Sequence, residues 1–230
     1  MVAVVAQARP SERAEFIRKT YTHLAGAVGA FIVLEFLLVQ SGIAGFLFQI
    51  VASTRIAWLA VLGAFALLGW FSRGLASQAD NINTQYMGLG IYVVAEAIIF
   101  APLIFMAAFF ADPTVIPTAG ILTLLLFGGL TAIAFTTRKD FSFLGGILKL
   151  AGFVALGLII CSTIFGFTLG LVFSAAMVLF ASGAILYDTS NVMHHYSTDQ
   201  YVAASLELFA SVALLFWYVL RIVMELSNRR

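Results

Sequence analysis

Residues 144–187 read LGGILKLAGFVALGLIICSTIFGFTLGLVFSAAMVLFASGAILY, two long apolar runs separated by little more than Gly166-Phe-Thr. A helix needs about 20 mainly apolar residues to cross the hydrocarbon core of a bilayer. Leu144–Phe165 and Thr168–Tyr187 each meet that length, so the stretch predicts a tight antiparallel hairpin of two membrane helices. Working outward with the same rule adds Tyr21–Gln40, Ile56–Ser72, Tyr86–Phe110, Thr118–Phe135 and Val202–Met224. The expected fold is therefore all-α, a polytopic membrane protein with seven transmembrane helices. Gly42–Ser53 is apolar but too short to span, and is expected at the interface or as an extension of the first helix. Pro113 and Pro117 mark the loop before the fourth span. With no linker or low-complexity segment, the chain divides into an N-terminal arm over residues 1–20 and one transmembrane domain over residues 21–230.

Composition supports this reading. Of 230 residues, 62% are hydrophobic and 10% are charged, whereas a soluble domain carries about 25% charged residues. A net charge of +1, without a clustered basic stripe, leaves no field for nucleic acid. The single cysteine, Cys161, lies inside an apolar run, which excludes a disulfide framework or a cysteine metal site. The first eighteen residues are polar and basic, with no signal-peptide core, so the first span is expected to direct its own insertion. Lysine and arginine placement favours a cytoplasmic N-terminus. Arg9, Arg13, Arg18, Lys19, Arg73, Arg138 and Lys139 then share the inner side and Arg55 falls outside; Arg229 and Arg230 fall outside with seven full spans, or inside if the last segment dips in and returns. Short termini without retention motifs favour a bacterial inner membrane. Small residues at Gly26 with Ala30, Gly128 and Gly129, Gly145 and Gly146, and Gly166 with Gly170 are expected at close helix contacts.

Charges within the spans need a reason, because each costs at least ~2.5–3.5 kcal/mol at the bilayer centre. Asp188, in Ala184-Ile-Leu-Tyr-Asp-Thr-Ser-Asn191, ends the sixth span and either faces water or turns into the bundle, where a proton could switch it or a cation bind it. Glu207 and Ser211 are four residues apart in the seventh span and share a face. Glu96 is mid-span and needs a partner or a proton, whereas Glu35 lies nearer the outer end, where solvent is expected to reach it. Arg73 ends the second span on the side of Asp188, as a membrane anchor or as the partner of that carboxylate. His194 and His195 make a weak metal site and are expected in a solvated loop. No nucleophilic triad, zinc-protease helix or phosphate loop is present, which argues against an enzyme and against a bound cofactor.

The run Phe180-Ala-Ser-Gly-Ala-Ile-Leu-Tyr-Asp-Thr-Ser-Asn191 resembles the sixth-span signature of the Bax inhibitor-1 family, and Thr137-Arg-Lys-Asp-Phe-Ser-Phe-Leu144 is similar to the loop before that family's fifth span. The last span, from Ala203 to Phe216, matches in pattern. The resemblance implies a bundle with one central helix and, for some members, a pH-sensitive calcium leak closed by two aspartates and an arginine latch. Asp188 matches the first aspartate and Arg73 the arginine. The place of the second aspartate is held by Ser211, with Glu207 the nearest acid. Other bacterial members resemble modulators of a membrane-bound AAA protease.

Two functions follow as expectations. One is a proton-regulated path for calcium or another cation through Asp188, Glu207, Ser211, Arg73 and Glu96, with Asp188 and Glu207 as the ion's carboxylates. The other is a non-enzymatic modulator of a membrane protease, or a stress-response interaction protein, that makes contact through residues 1–19. A proton-coupled transporter ranks last, because no internal repeat is visible and Pro102 is the one proline inside a span.

Overall fold

The computed structural model describes residues 4–78 and 81–228. Arg229, Arg230 and the side chain of Arg55, which entered the orientation argument, lie outside the described residues. In chain order the helices are α1 (Pro10–Gln40), α2 (Ile43–Ser53), α3 (Arg55–Ala76), α4 (Ile82–Phe110), α5 (Val115–Thr137), α6 (Leu144–Phe165), α7 (Gly170–His194) and α8 (Tyr201–Ser227). Among the described residues, seven of them are long and apolar enough to cross a membrane, and α2 is not. The protein is thus an all-α integral membrane protein with seven candidate spans.

α8 is the central helix. It touches α1, α3, α4, α5 and α7, and over half of its most apolar stretch is buried inside the protein. α1 lies against α4 and α8 along one stripe of buried residues, Phe16, Thr20, Leu24, Ala27, Phe31 and Glu35, at the three-and-four spacing that keeps side chains on one helix face. α6 is peripheral and, among the described residues, packs chiefly against α7 and α3.

The chain turns where backbone conformation demands glycine. Gly42, at φ 79°, separates α1 from α2, so the short apolar run is a helix of its own and does not extend the first span. Gly166 (φ 77°) ends α6 and Gly170 (φ 62°) opens α7, which forms the tight hairpin. Two expectations are corrected. α7 continues through Asp188-Thr-Ser-Asn191 to His194, so the polar stretch taken to end the span is helical and its side chains are aimed by the helix. The glycines expected at helix contacts are mostly not there: a methyl group at Gly26, Gly128, Gly129 or Gly146 would meet nothing within 4 Å. The close contact is at Gly88, where a Cβ would stand 2.6 Å from the Ser72 carbonyl oxygen and 2.7 Å from the Ala76 nitrogen. Gly145 similarly admits the ring of Tyr187, 2.9 Å from the position of a Cβ.

The segment before the first span, set apart above as an N-terminal arm, is helical from Pro10 and continuous with that span. Ahead of it, Val5 is fully buried and its N–H donates to the Tyr196 carbonyl at 2.9 Å, while Val4 bridges Ser197. The N-terminus is therefore fastened to the turn between α7 and α8.

Backbone at Ser72 and Ala76 cannot yield as a side chain would, so Gly88→Ala is expected to lower stability by about 1–3 kcal/mol through overpacking. Thermal unfolding in detergent should show a clear drop in midpoint for Gly88→Ala. Gly90→Ala, whose methyl group meets nothing within 4 Å, should leave it unchanged.

Candidate functional site

The charged residues near the end of α3 are sorted into pairs. The Arg73 Nε donates to Glu207 Oε1 and Oε2 at 2.8 and 3.0 Å, an ion pair that ties α3 to α8. One turn along α8, Ser211 Oγ donates to Asp188 Oδ2 at 2.5 Å and ties α8 to α7. Asp188 thus faces the bundle, and Arg73 takes Glu207, not Asp188, as its direct partner. The assignment follows from register: four residues on one face of α8 place Glu207 towards α3 while Ser211 meets α7.

Glu96 is buried at 6% exposure and lines a cavity of about 820 Å³. The Tyr92 hydroxyl, one turn earlier on α4, lies beside both Glu96 and Arg73. The Arg73 guanidinium also sits over the Tyr92 ring, 5.3 Å from its centre. Glu35 departs from expectation. It is 6% exposed and occupies the buried stripe of α1, so solvent does not reach it.

The cavity is an open cleft lined by residues of α3, α4, α6, α7 and α8 and runs along α8 from Glu207 to Glu225. At 1.5 Å per residue that is about 27 Å, close to the thickness of a hydrocarbon core. Ser211 is on its wall, whereas Asp188 stands behind Ser211. A second recess of about 550 Å³ lies at the end of α3, lined by Ser77, Gln78, Tyr196 and Gln200 among others. Arg73 and Glu207 are the two residues that border both spaces. Their ion pair therefore lies where the two spaces meet. Tyr196, in the turn after α7, closes the recess from the other side. Its phenol is pushed above the ordinary range by burial, and the charges of Glu207 and Asp188 add to the effect.

A cluster the sequence reading missed joins the two family motifs. The loop between α5 and α6 lies against the end of α7: the Phe141 N–H donates to Ser190 Oγ at 2.8 Å, and Ser190 Oγ donates to Asp140 Oδ1 at 3.3 Å. Asp140 also accepts from the Ser142 N–H at 2.8 Å and pairs with His195 Nε2 at 3.2 Å. His195 is thus committed to a structural contact, and His194 points Nδ1 at the Ser190 carbonyl, 2.9 Å away. The Asp140 carboxyl is held below the usual aspartate range, first by the Ser142 N–H; burial opposes this, and Ser142 Oγ and His195 add to it. Among the described residues no group of three histidine, cysteine or acidic side chains could hold a metal ion.

Seven apolar spans, one of them central, with paired charges at one end of a membrane-deep cavity, define a polytopic integral membrane protein. Over residues 13–229 the chain matches the family model described as inhibitor of apoptosis-promoting Bax1, and it belongs to that family. An uncharacterized protein of Pseudomonas aeruginosa, PA2604, is 42% identical over 110 residues, covering 47% of this chain and 49% of that protein. The chain therefore matches about half the length of that relative. The Golgi anti-apoptotic protein of vaccinia virus (strain Lister) is 31% identical over 236 positions, 98% of this chain and 91% of the viral one. The modulator of FtsH protease YccA of Escherichia coli (strain K12) is 41% identical over 103 residues, 44% of this chain and 46% of that protein. Family members are thus named as inhibitors or modulators.

Asp140 supplies a pH test. A carboxyl held below its unfolded value, about 3.9 for aspartate, stabilises the docked loop above that pH, and the contribution is lost as pH falls through the lower folded value. Amide-exchange protection of Phe141 should hold steady from neutral pH to about 5 and fall at more acid pH. In Asp140→Asn this acid-linked loss should be absent.

Proposed function

We propose that the protein is a proton-sensitive pathway for calcium or another small cation, held shut by the Arg73–Glu207 pair. The observation that carries the reading is the position of that pair where the 820 Å³ cavity and the 550 Å³ recess meet, which on this reading makes it the partition between them. Separating the two side chains joins the spaces along the bundle. Asp188 supplies the proton dependence. With Asp188 ionised, two carboxylates face one guanidinium, the net charge of the three groups is −1, and Asp188 competes with Glu207 for Arg73 while drawing a cation in. With Asp188 protonated the three groups are neutral, Arg73 belongs to Glu207 alone, and the partition closes. Calcium is cargo on this reading: two carboxylates and one hydroxyl fall short of the six to eight oxygens a resident calcium takes, which suits brief contact better than storage. The partners are the bilayer, the ion and protons. A bacterial inner membrane with the N-terminus in the cytoplasm places the recess on the cytoplasmic side, and no enzymatic chemistry is required.

A second reading is modulation of a membrane-bound protease, favoured by the likeness to the E. coli protein named for that role. The 31-residue α1 is longer than a span requires. Its first turns project with Arg13, Arg18 and the Glu15–Lys19 pair at 2.8 Å as a charged contact surface.

Flux through the purified protein in liposomes tests the first reading. Arg73→Gln leaves two acids and no cation in the partition, so calcium flux should rise about tenfold, within the range that electrostatic focusing commands. Glu207→Gln breaks the same pair but leaves Arg73 to repel cations or turn to Asp188, and flux should stay low. Asp188→Asn should be low and independent of pH; flux in that variant that still follows pH would sink the scheme. For the second reading, Arg13→Glu with Arg18→Glu should abolish co-purification of a membrane-bound AAA protease without altering flux.

A further inference from the structure

The long cleft has a second charged end, away from the Arg73–Glu207 pair. There the α6–α7 hairpin faces the last turns of α8, a register fixed by the edge-on packing of Phe173 against Tyr218 at 5.9 Å. Three residues before Phe173 is Gly170, the first residue of α7, and three residues after Tyr218 is Arg221. Gly170 and Arg221 both line the cleft. Arg221 is exposed and, among the described residues, forms no ion pair. Glu225, one turn further along α8, also lines the cleft and has a partner of its own. Leu169, just before α7, supplies no side-chain cap, so the N–H groups of that first turn add positive potential beside the guanidinium.

Between Arg221 and Ser211 the walls are largely apolar. α8 contributes Leu214 and Trp217, α6 contributes Leu156 and Ile159, and α3 contributes Leu62 and Trp58, whose ring stacks on Trp217 at 5.8 Å. Ten residues of α8 separate Ser211 from Arg221, about 15 Å of helix. That is half of a ~30 Å hydrocarbon core, the depth of one leaflet. The cleft is open to the outside of the bundle: Leu156 and Phe167, both in its lining, are 48% and 46% exposed. Along a membrane span, what reaches such an opening is acyl chain and not water. A cation at the end of an apolar cleft in that medium calls for an anion.

We propose that the cleft is a phospholipid site: one acyl chain lies between α3 and α6 against Trp58 and Trp217, and the phosphate meets Arg221. The guanidinium pairs with phosphate oxygens through charge-assisted hydrogen bonds, the geometry that favours arginine at such sites. The chain fills the apolar length and ends near Ser211. A neutral glyceride lacks the charge and a free phosphate ion lacks the tail, so the cleft selects a molecule that has both. Occupancy is read by binding, and the site stands or falls apart from cation flux.

Native mass spectrometry of the full chain in detergent, titrated with dioleoylphosphatidylglycerol, tests it. One lipid should be retained ahead of all others. Arg221→Gln should weaken that retention about tenfold, as expected for the loss of one charge-assisted pair, and Arg221→Lys should recover most of it. Diolein, which has the same chains and no phosphate, should bind the wild type no better than the phospholipid binds Arg221→Gln. A second measurement leaves Arg221 in place. In Trp70→Phe, which keeps Trp58 and Trp217 of the three tryptophans, phosphatidylglycerol brominated midway along its chains should quench the fluorescence in one saturable step. Equal retention of the phospholipid by wild type and Arg221→Gln overturns the proposal. So does diolein that binds as well as the phospholipid, or quenching that only rises in proportion to bulk lipid.

Discussion

A charge inside a bilayer must find an opposite charge, hydrogen bonds or a proton, and most of what is particular to this bundle follows from how its few ionisable side chains meet that demand. Arg73 and Glu207 satisfy each other. Asp188 takes the hydroxyl of Ser211. Glu96 has Tyr92 at its side, and Glu35 has no hydrogen-bond partner among the described residues. These solutions also position the helices, because each of the first two joins α8 to a different neighbour. The apolar remainder of the chain makes no such distinction: in lipid, one aliphatic contact is nearly as good as another, and close packing decides among them.

Much of this was legible in the sequence, and the boundary between the legible and the rest has physical causes. Span number and placement were readable because length and hydropathy are local properties. The reach of α7 was misjudged at Tyr187 because a run of Asp, Thr, Ser and Asn looks like a loop, yet packing of the buried Thr189, Ser190, Val192 and Met193 carries the helix on to His194 against propensity. Glu35 was misplaced by counting distance from the span end. The stripe at positions 16, 20, 24, 27 and 31 already pointed to its burial. The partner of Arg73 could not be read at all, since the choice between Asp188 and Glu207 is decided by the relative rotation of α3, α7 and α8. Gly88 was lost among nineteen glycines. What set it apart is the neighbouring helix backbone, which no local pattern records. Ser190, Asp140 and His195 were visible only as members of two separate motifs, about fifty residues apart.

Asp188 and Glu207 meet different partners. The Ser211 hydroxyl donates to Asp188, which is thus satisfied by a neutral group, and one turn away along α8 Glu207 pairs with Arg73. The chain thereby separates two jobs: accepting a hydrogen bond between α7 and α8, and pairing with the arginine between α8 and α3. Both lie next to the Phe141–Ser190 contact and the Val5–Tyr196 bond, so the N-terminal segment and the α5–α6 loop brace the same end of the bundle.

α6 has the fewest attachments of any span, chiefly to α7 and α3 among the described residues, and it forms the wall of the long cavity on the side that faces the acyl chains. A small apolar molecule bound for that space would meet less resistance sideways, past α6, than end-on through charged residues. A blocker of this protein would then work from its dissolved concentration in the membrane, and its potency across a chemical series would follow oil–water partitioning more closely than dose in the buffer.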